Sequence, residues 1–511
     1  MTKYYLGYDC GSQGTKTAIY NEDSTLVAEA YRENEIHYPR PGWAEMDADH
    51  FYDNVVQGIR ECVHKSGINP REIRGISCSG VIMGFVPITH DWKAAGPYIS
   101  FLDGRATKEA EYVRTNVEPL WVEECGNAQI DAMQPPMFLL WLLKHRRDVM
   151  NAAKKVVTIA HFILGRFAGL QAEDAFIDWA HMSGWIIGYN ARTRDWSDRQ
   201  LELLGIPREL VPRVVKPWDV IGTLSSQQAG VLGLPEGIPL VAGAGDFMQS
   251  NIGSGLLDTG MCSDVAGTAS IFTADVDHMC PKLTTVPGLI YSIGTFEGHY
   301  LYWGLIRAGG LSMRWFRDKV VGKTGDPHFY RAMDELAKTV PLGADLALFY
   351  PYLQGGDPSQ PSACATWLGM FGGTDKARLW RSILESIAFE YLAWVQAFRD
   401  EGITVDTVIG TGGGSRSLFW DQIKADVLNA KYVTMQRSEG AVLANALLAA
   451  YGVGDIPDIQ ETLRRWVGIR QEIRPIPDNH TAYAKIYAAR QQILKGPLQE
   501  IFNTLATIRE A

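Results

Sequence analysis

Two aspartates in this sequence each follow an apolar segment, and each lies next to small residues. Asp9 is followed by CGSQGTK, and Asp246 closes the segment LVAGAGD. A carboxylate at the end of a strand can hold a Mg²⁺-bound water beside a phosphate-binding turn. A carboxylate with open space around it can accept a hydroxyl proton during phosphoryl transfer. Asp9 is therefore the candidate metal-organising residue, and Asp246 is the candidate general base and substrate contact.

Each aspartate also admits a purely structural interpretation. Asp9 could be a turn-initiating residue whose side chain hydrogen-bonds to its own backbone. Asp246 could be the N-cap of the helix that follows it. The residues alone leave both alternatives open.

The chain carries a strand–turn–strand segment twice, over residues 4–20 and 261–273. Glycine and hydroxyl residues in a tight turn let backbone N–H groups converge on an anion such as a phosphate. The first turn is not a Walker A loop, because it reads Gly-Thr-Lys-Thr, and it lacks the third glycine of a dinucleotide fingerprint. Two such hairpins suggest two halves that face one nucleotide.

A third glycine-rich segment, GTGGGS over residues 410–415, follows a predicted strand. Backbone without side chains can approach a nucleotide base or a phosphate closely. The same composition is typical of a flexible turn, so both interpretations remain open here.

The elements that must position these residues alternate between strand and helix, which indicates an α/β architecture. The pattern predicts helices near 48–66, 137–143 and 376–394 and strands at 74–78, 240–244 and 405–409. A chain of 511 residues exceeds what one hydrophobic core usually supports. We therefore expect two domains, covering residues 1–250 and 251–511.

Composition excludes several classes of protein. Apolar residues make up 46% of the chain and charged residues 21%, which predicts folded structure throughout. The net charge of −10 argues against binding to nucleic acid or to an anionic membrane. The seven cysteines are scattered and lack C-x-x-C spacing, which favours a reducing, cytoplasmic compartment over a disulfide or zinc framework. No targeting segment or membrane span is expected.

The motifs together resemble the FGGY family of carbohydrate kinases along nearly the whole chain, and they look most like its xylulose kinase branch. The matching stretches are GYDCGSQGTK from Gly7, GWAE from Gly42, DGR from Asp103, TRDWS from Thr193, VAGAGD from Val241, GT at 267–268, GGGS at 412–415, ADV at 425–427 and residues 439–446. The resemblance implies an α/β fold of two ribonuclease-H-like (actin-type ATPase) domains with an interdomain cleft.

The resemblance also assigns roles. ATP and Mg²⁺ would be the cofactors, with most sugar contacts in the first domain and ATP binding in the second. Asp246 matches the family's catalytic base, and Asp9 matches the aspartate that organises Mg²⁺. The expected cofactor-binding residues are Gly11, Ser12, Gln13, Thr15 and Lys16 in the first phosphate loop, Gly267 and Thr268 in the second, and Gly412, Gly413 and Ser415 beside the adenosine.

The chain departs from the xylulose kinase pattern in the expected sugar pocket. Met83 stands where the family has a histidine, and Phe101 replaces a tryptophan. Losing a hydrogen-bonding group in a site for hydroxyls can change specificity by orders of magnitude. Asp103 is the best sugar-binding candidate, with Arg105 as its structural partner. The segment GWAE from Gly42 could be a wall of the pocket or a packing turn.

Three hypotheses follow. The first is an ATP-dependent sugar kinase, with D-xylulose as the leading acceptor and another ketose or a polyol as the alternative. The second is an inactive sugar-binding regulator on the same scaffold, and the third is an actin-like ATPase without a small acceptor. A homodimer is expected by analogy with related enzymes.

Overall fold

A computed structural model of the chain describes residues 2–356, 360–436 and 440–510. The chain divides into two compact units. The first unit comprises Met1–Gly255, Tyr291–Tyr300 and Ser438–Val467, and the second comprises Leu256–Ile290, Leu301–Arg437 and Gly468–Ala511. Two later stretches thus belong to the first unit. The functional division into residues 1–250 and 251–511 stays a prediction.

The secondary structure up to residue 255 consists of short and long strands with helices between them. The strands are β1 (Tyr4–Cys10), β2 (Gly14–Asn21), β3 (Leu26–Glu33), β4 (Glu45–Met46), β5 (Ile73–Gly80), β6 (Val86–Ile88), β7 (Tyr98–Ile99), β8 (Lys155–Val157), β9 (Phe176–Asp178), β10 (Tyr189–Asn190), β11 (Asp195–Trp196), β12 (Arg213–Val215), β13 (Val220–Thr223) and β14 (Pro239–Gly245). The helices are α1 (Ala48–Ser66), α2 (Thr107–Asn116), α3 (Trp121–Glu124), α4 (Pro135–His145), α5 (Arg147–Ala152), α6 (Ile159–Ala168), α7 (Trp179–Ser183), α8 (Asp198–Leu204), α9 (Ser226–Leu232) and α10 (Asp246–Gly253).

The first unit is built on a six-stranded sheet in the order β13-β14-β5-β1-β2-β3. Strands β1, β2 and β3 form an antiparallel meander, whereas β1, β5 and β14 run parallel to one another. The carboxyl ends of β1, β5 and β14 therefore meet at one edge of the sheet. Residues that follow these three strands come together there.

The remainder of the chain adds a second set of elements. Its strands are β15 (Met261–Ala266), β16 (Ser270–Val276), β17 (Leu289–Ile293), β18 (Tyr300–Ile306), β19 (Leu348–Tyr350), β20 (Thr366–Leu368), β21 (Thr407–Thr411), β22 (Lys431–Met435) and β23 (Ile469–Ile473). Its helices are α11 (Gly309–Trp315), α12 (Phe329–Ala337), α13 (Lys376–Asp400), α14 (Leu418–Leu428), α15 (Ala441–Gly452), α16 (Ile459–Val467), α17 (Pro477–Lys495) and α18 (Pro497–Glu510). Of these helices, α15 and α16 belong to the first unit.

Helices cover the first sheet from both sides. Gly58 on α1 packs so closely that an added Cβ would lie 2.6 Å from Thr17 Oγ1, and a Cβ on Gly7 would lie 2.7 Å from the carbonyl oxygen of Val442 on α15. Thr17 pairs with Tyr8 across β1 and β2, next to Gly7. Because adjacent residues of a strand face opposite sides of a sheet, α1 and α15 lie on opposite faces.

The second unit repeats this plan. Six neighbouring strands of this unit have the order β18-β16-β15-β21-β22-β23. Strands β15 and β16 form an antiparallel hairpin, and β15, β21 and β22 run parallel. In each unit, two further strands run parallel to the first strand of an antiparallel hairpin, on the side away from the second. The prediction of two α/β domains of the actin-type ATPase fold is confirmed.

The predicted elements are present with shifted ends. The helix predicted at 48–66 is α1, whereas α13 extends six residues beyond the end predicted at residue 394. The strand predicted at 405–409 is β21, which runs from Thr407 to Thr411. All seven cysteines lie within the described residues and are free. Across those residues, no helix is both long enough and apolar enough to span a bilayer.

Candidate active site

Two carboxylates stand at the carboxyl edge of the first sheet, on either side of β5. Asp9 is the penultimate residue of β1 and pairs with Ser79, while Gly245 at the end of β14 pairs with Gly80. Asp246 directly follows and begins α10. Parallel pairing with one common strand brings Asp9 and Asp246 together, although 236 residues separate them in sequence.

The environment of these carboxylates favours their protonated forms. Burial raises the pKa of Asp246 to about 7, and the charge of Asp9 adds to this rise. Burial also raises the pKa of Asp9, against the opposing effects of the Ser79 hydroxyl, His181 and Lys16. A divalent cation would relieve the repulsion between the two groups, and carboxylate oxygens are the ligands that Mg²⁺ prefers. The donor set therefore fits this ion.

Asp246 is not the N-cap of α10, which was the structural alternative. The N-cap position is Gly245, and Asp246 is the first helical residue. Its Oδ1 accepts a hydrogen bond of 2.7 Å from the N–H of Phe247. The backbone thus orients this carboxylate. Its raised pKa could not be predicted from the sequence alone.

The first predicted phosphate loop is the turn between β1 and β2. Gly11 closes it by donating to the carbonyl of Gly14 at 3.0 Å, and the carbonyl of Gly11 accepts from the Asn34 side chain at 2.7 Å. Thr15 is buried and directs its hydroxyl to Asn34, while Lys16 pairs with Glu29 at 3.0 Å. Gly11, Ser12 and Gln13 therefore form the tip of the turn.

The second and third glycine-rich turns meet in the second unit. The carbonyls of Gly267 and Thr268 accept hydrogen bonds from the N–H groups of Gly310 and Leu311, the second and third residues of α11. Gly412 adopts a φ of +77°, and a Cβ there would lie 2.9 Å from the carbonyl oxygen of Ala266. Glycine is required at this position by both the backbone angle and the close approach.

A cavity of about 730 Å³ opens between these turns and helix α12. Its walls include the predicted residues Gly267, Thr268 and Gly413, whereas Gly412 and Ser415 hydrogen-bond to each other beside it. The size is that of a site for a nucleotide-sized ligand. The cavity thus collects residues from two turns that lie 145 positions apart in sequence, counted from Thr268 to Gly413.

The outer wall of this cavity was not predicted from the sequence. Residues of α12 and its flanks, together with basic residues elsewhere, line that wall: Arg314, Pro327, Tyr330, Arg331, Asp334, Glu335, Lys338 and Arg416. The members of this set between residues 327 and 338 are spaced three or four apart, as on one face of a helix. That spacing is the feature of the sequence from which this wall could have been predicted. Asp334 accepts from Trp380 at 2.8 Å and from Ser417 at 2.6 Å, so it holds the start of α14.

The expected sugar-binding carboxylate is fully engaged by protein donors. Asp103 is 2% exposed and accepts from the N–H of Ala44 at 2.6 Å and from Arg105, whose guanidinium lies 2.7 Å away. Arg105 also pairs with Glu45 at 2.8 Å and lies 3.9 Å from the ring centre of Trp43. The predicted pairing of Arg105 with Asp103 is present, and Glu45 and Trp43 contact the same guanidinium. Direct sugar contact by Asp103 stays a prediction.

The two positions that depart from the xylulose kinase pattern remain partly exposed. Met83 uses its carbonyl to accept from the Tyr98 hydroxyl at 3.1 Å, and Phe101 follows the short strand β7. Neither side chain is among the fully buried residues of the described chain. Their predicted contact with substrate is thus left open.

A buried histidine–aspartate–histidine cluster was also missed. Asp178 caps α7 and accepts from His181 Nδ1 at 2.5 Å, and its other neighbour is His161 Nε2 at 3.2 Å. Burial alone would raise the pKa of Asp178, but the two imidazoles hold it well below its usual range. The donor atoms lie within 4.8 Å of one another, as in a metal site, but they already contact one another directly. The short contact between His181 Nδ1 and Asp178 accounts for part of the cluster, whereas the buried Nε2 atoms of His161 and His181 have no hydrogen-bond partner among the described residues.

Comparison with known proteins places these features in a family. The model of the N-terminal domain of the FGGY family of carbohydrate kinases matches residues 4–253, and the model of its C-terminal domain matches residues 262–453. The chain belongs to the FGGY family of carbohydrate kinases. This FGGY kinase is therefore an ATP-dependent sugar-phosphorylating enzyme by family, as the sequence predicted.

Relatives of this FGGY kinase carry several specificities. It is 23% identical over 95% of both chains to xylulose kinase from Bacillus subtilis, and 24% identical over 94% of both chains to gluconokinase from the same organism. Its fold matches the crystal structure of xylulose kinase from Rhodospirillum rubrum, with a TM-score of 0.90, 24% identity and coverage of 98% and 100% of the two chains. Of the motif residues, Glu439 lies outside the described residues.

Proposed function

We propose that this FGGY kinase transfers the γ-phosphoryl group of MgATP to a hydroxyl of a ketose, with D-xylulose as the leading acceptor. The observation that carries the proposal is the pair of carboxylates at one edge of the first sheet, Asp9 and Asp246, in which the pKa of Asp246 is raised to about 7. A base with a pKa near the working pH is well matched to removing a hydroxyl proton. The similarity to xylulose kinases supports the choice of acceptor.

Each group has a role in this reaction. ATP supplies the phosphoryl group that is transferred, and Mg²⁺ would supply positive charge that offsets the negative charge of the phosphates. Asp246 takes the proton of the acceptor hydroxyl, and Asp9 orients the ligands of the metal. The turn at Gly11 and the turn at Gly267 hold phosphates, and the cavity beside Gly413 holds the adenosine. Catalysis then rests on positioning and charge neutralisation, without a phosphoenzyme.

Two cations of the first unit, Arg105 and Lys16, are already paired with carboxylates, which at these two positions favours an uncharged acceptor over a sugar acid such as gluconate. Arg105 is neutralised by Asp103 and Glu45, and Lys16 is paired with Glu29. A carboxylate substrate would need a cation that is free to pair with it.

We also propose, from the resemblance to the family, that residues 1–250 bind the sugar and that residues 251–511 bind ATP. On the same ground we propose that the enzyme works as a cytoplasmic homodimer.

The acceptor is tested by the rate of ADP release with MgATP and a panel of D-xylulose, D-ribulose, L-xylulose, L-fuculose, gluconate, glycerol and erythritol. We expect the largest kcat/KM with D-xylulose and negligible turnover of gluconate. A larger kcat/KM for another neutral acceptor would reassign the substrate. Preference for gluconate would contradict the argument from the paired cations.

Acidification is expected to switch the enzyme off. Asp246 must be ionised to accept a proton, and its pKa is about 7 in the metal-free protein, so kcat/KM for MgATP should fall below that pH by up to about tenfold per pH unit. Above that pH kcat/KM should reach a plateau. The measurement is kcat/KM from pH 5.5 to 9, with thermal unfolding recorded at each pH. A rate that stays constant from pH 7 down to pH 5.5 would contradict the assignment.

Met83→His is expected to shift specificity toward D-xylulose. The imidazole supplies a hydrogen-bonding group for a substrate hydroxyl, so the ratio of kcat/KM for D-xylulose to that for erythritol should rise about tenfold or more. Met83→Leu, which keeps the position apolar, is the matched control and should leave the ratio unchanged. Equal ratios in both variants would show that Met83 does not contact the acceptor.

A further inference from the structure

A continuous chain of hydrogen bonds runs through the first unit and ends on Asp9. Ser79 Oγ donates to Asp9 Oδ1 at 2.7 Å, and Asn445 Nδ2 donates to Ser79 Oγ at 2.8 Å. Gln249 Nε2 donates to Asn445 Oδ1 at 2.8 Å, and Thr295 Oγ1 donates to Gln249 Oε1 at 3.2 Å. Every donor points toward the carboxylate, so the dipoles of the chain reinforce one another.

The position of Asn445 fixes the direction of the Ser79 hydroxyl. Asn445 is fully buried, and its second amide hydrogen is donated to the carbonyl of Tyr8 at 2.8 Å. Both N–H groups and the carbonyl oxygen of this side chain are therefore used. Because Asn445 donates to Ser79 Oγ, the hydrogen of that hydroxyl is left for an acceptor, which is Asp9.

Packing holds the two amides in place. Asn445 lies on α15, and a Cβ on Gly7 would lie 2.9 Å from the Asn445 Cβ, so this helix sits tightly against β1. Gln249 lies on α10, three residues after Asp246. It is 1% exposed. The chain of hydrogen bonds thus joins the strand that carries Asp9 to the helix that begins at Asp246.

We propose that Asn445 and Gln249 are positioning residues that act through Ser79 on Asp9. They hold one Asp9 oxygen in a charge-assisted hydrogen bond, so that the carboxylate presents its remaining lone pairs to the ligands of Mg²⁺. The inference rests on the proposed function, in which Asp9 organises that ion. Partners of this kind typically contribute about 10- to 100-fold in metal affinity or activity.

The test is Asn445→Ala, with Mg²⁺ dependence as the readout. We expect the Mg²⁺ concentration for half-maximal activity to rise about 10- to 100-fold, while KM for the acceptor changes by less than about twofold. A second readout needs no turnover. Calorimetric binding of a non-hydrolysable ATP analogue, with and without Mg²⁺, should show a smaller gain in affinity from Mg²⁺ in the variant than in the wild type.

A double-mutant cycle separates positioning from general destabilisation. Ser79→Ala should produce the same Mg²⁺ defect, and Ser79→Ala combined with Asn445→Ala should be no worse than either alone, because Asn445 acts through Ser79. Asn127→Ala is the matched control, since Asn127 is a buried amide of the same unit that bonds to the carbonyls of Ile186 and Tyr291. Asn127→Ala should lower the free energy of unfolding and leave the Mg²⁺ concentration for half-maximal activity unchanged.

Three outcomes would overturn the inference. In the first, the Mg²⁺ concentration for half-maximal activity of Asn445→Ala stays within about twofold of the wild-type value. In the second, the effects of Ser79→Ala and Asn445→Ala add up in the double variant. In the third, Mg²⁺ does not increase the affinity of the wild-type protein for the ATP analogue. Gln249→Met, which removes the donor to Asn445 while keeping side-chain length, gives the same test if Asn445→Ala does not fold. An enzyme that phosphorylates no acceptor would refute the proposed function, whereas the binding arm would still test the positioning.

Discussion

Asp246→Asn is expected to lower kcat at least about 100-fold and to leave the affinity for ATP nearly unchanged. The amide has the size of the carboxylate and keeps an oxygen to accept from the N–H of Phe247, which lies 2.7 Å from Asp246 Oδ1. It cannot take up a proton, so the acceptor hydroxyl loses its base. Steady-state kinetics at saturating acceptor and calorimetry with an ATP analogue measure the two quantities.

Asp47→Asn is the matched control for this prediction. Asp47 caps α1 by accepting from the N–H of Asp49, and asparagine caps a helix about as well as aspartate. Its kcat should therefore remain at the wild-type value. If Asp246→Asn keeps a kcat within about threefold of the wild type, Asp246 is not the base.

Lys424→Met is expected to lower the free energy of unfolding by about 3–5 kcal/mol, the usual cost of leaving a buried charge without its partner. Lys424 Nζ lies 2.6 Å from Asp264 Oδ2, and both side chains are fully buried. Tyr391 donates to Asp264 Oδ1 at 2.6 Å, and Tyr432 donates to Oδ2. These two hydroxyls would remain as donors to the carboxylate, without the ammonium charge.

Urea unfolding followed by the fluorescence of the 15 tryptophans measures this loss. One of them, Trp420, makes a cation–π contact with Lys424, with 3.9 Å between the ammonium and the ring centre. Asp264→Leu combined with Lys424→Met is the control. Removing both charges should recover part of the lost stability. A single variant that costs less than about 1 kcal/mol would mean that the pair carries little of the stability of the second unit.

Local chemistry made the hairpins and the first helices predictable. The turn at Gly11 and the turn at Gly267 contain the residues that a tight strand connection needs, and each structure follows its sequence signal. Helix ends were less predictable. The apolar face of α13 continues to Phe398 and holds the helix together beyond residue 394.

Contacts between distant segments could not be predicted from local patterns. Gln249 and Asn445 are 196 residues apart, and their pairing depends on helix α15 packing against a strand that carries Gly7. The high pKa of Asp246 likewise arises from burial and from a neighbour that parallel pairing supplies. The buried position of the Thr15 side chain could have been predicted, because Thr15 and Lys16 are neighbours in β2 and must face opposite sides of the sheet.

Phosphorus-31 NMR of the reaction with MgATP and D-xylulose measures whether this FGGY kinase phosphorylates a small neutral sugar. We expect one sugar phosphate to form for each ADP released, and no ADP without acceptor. ADP release without a phosphorylated sugar would identify an ATPase instead. Acceptor binding without any ADP release, repeated across the panel, would identify a sugar-binding regulator and contradict the proposed function.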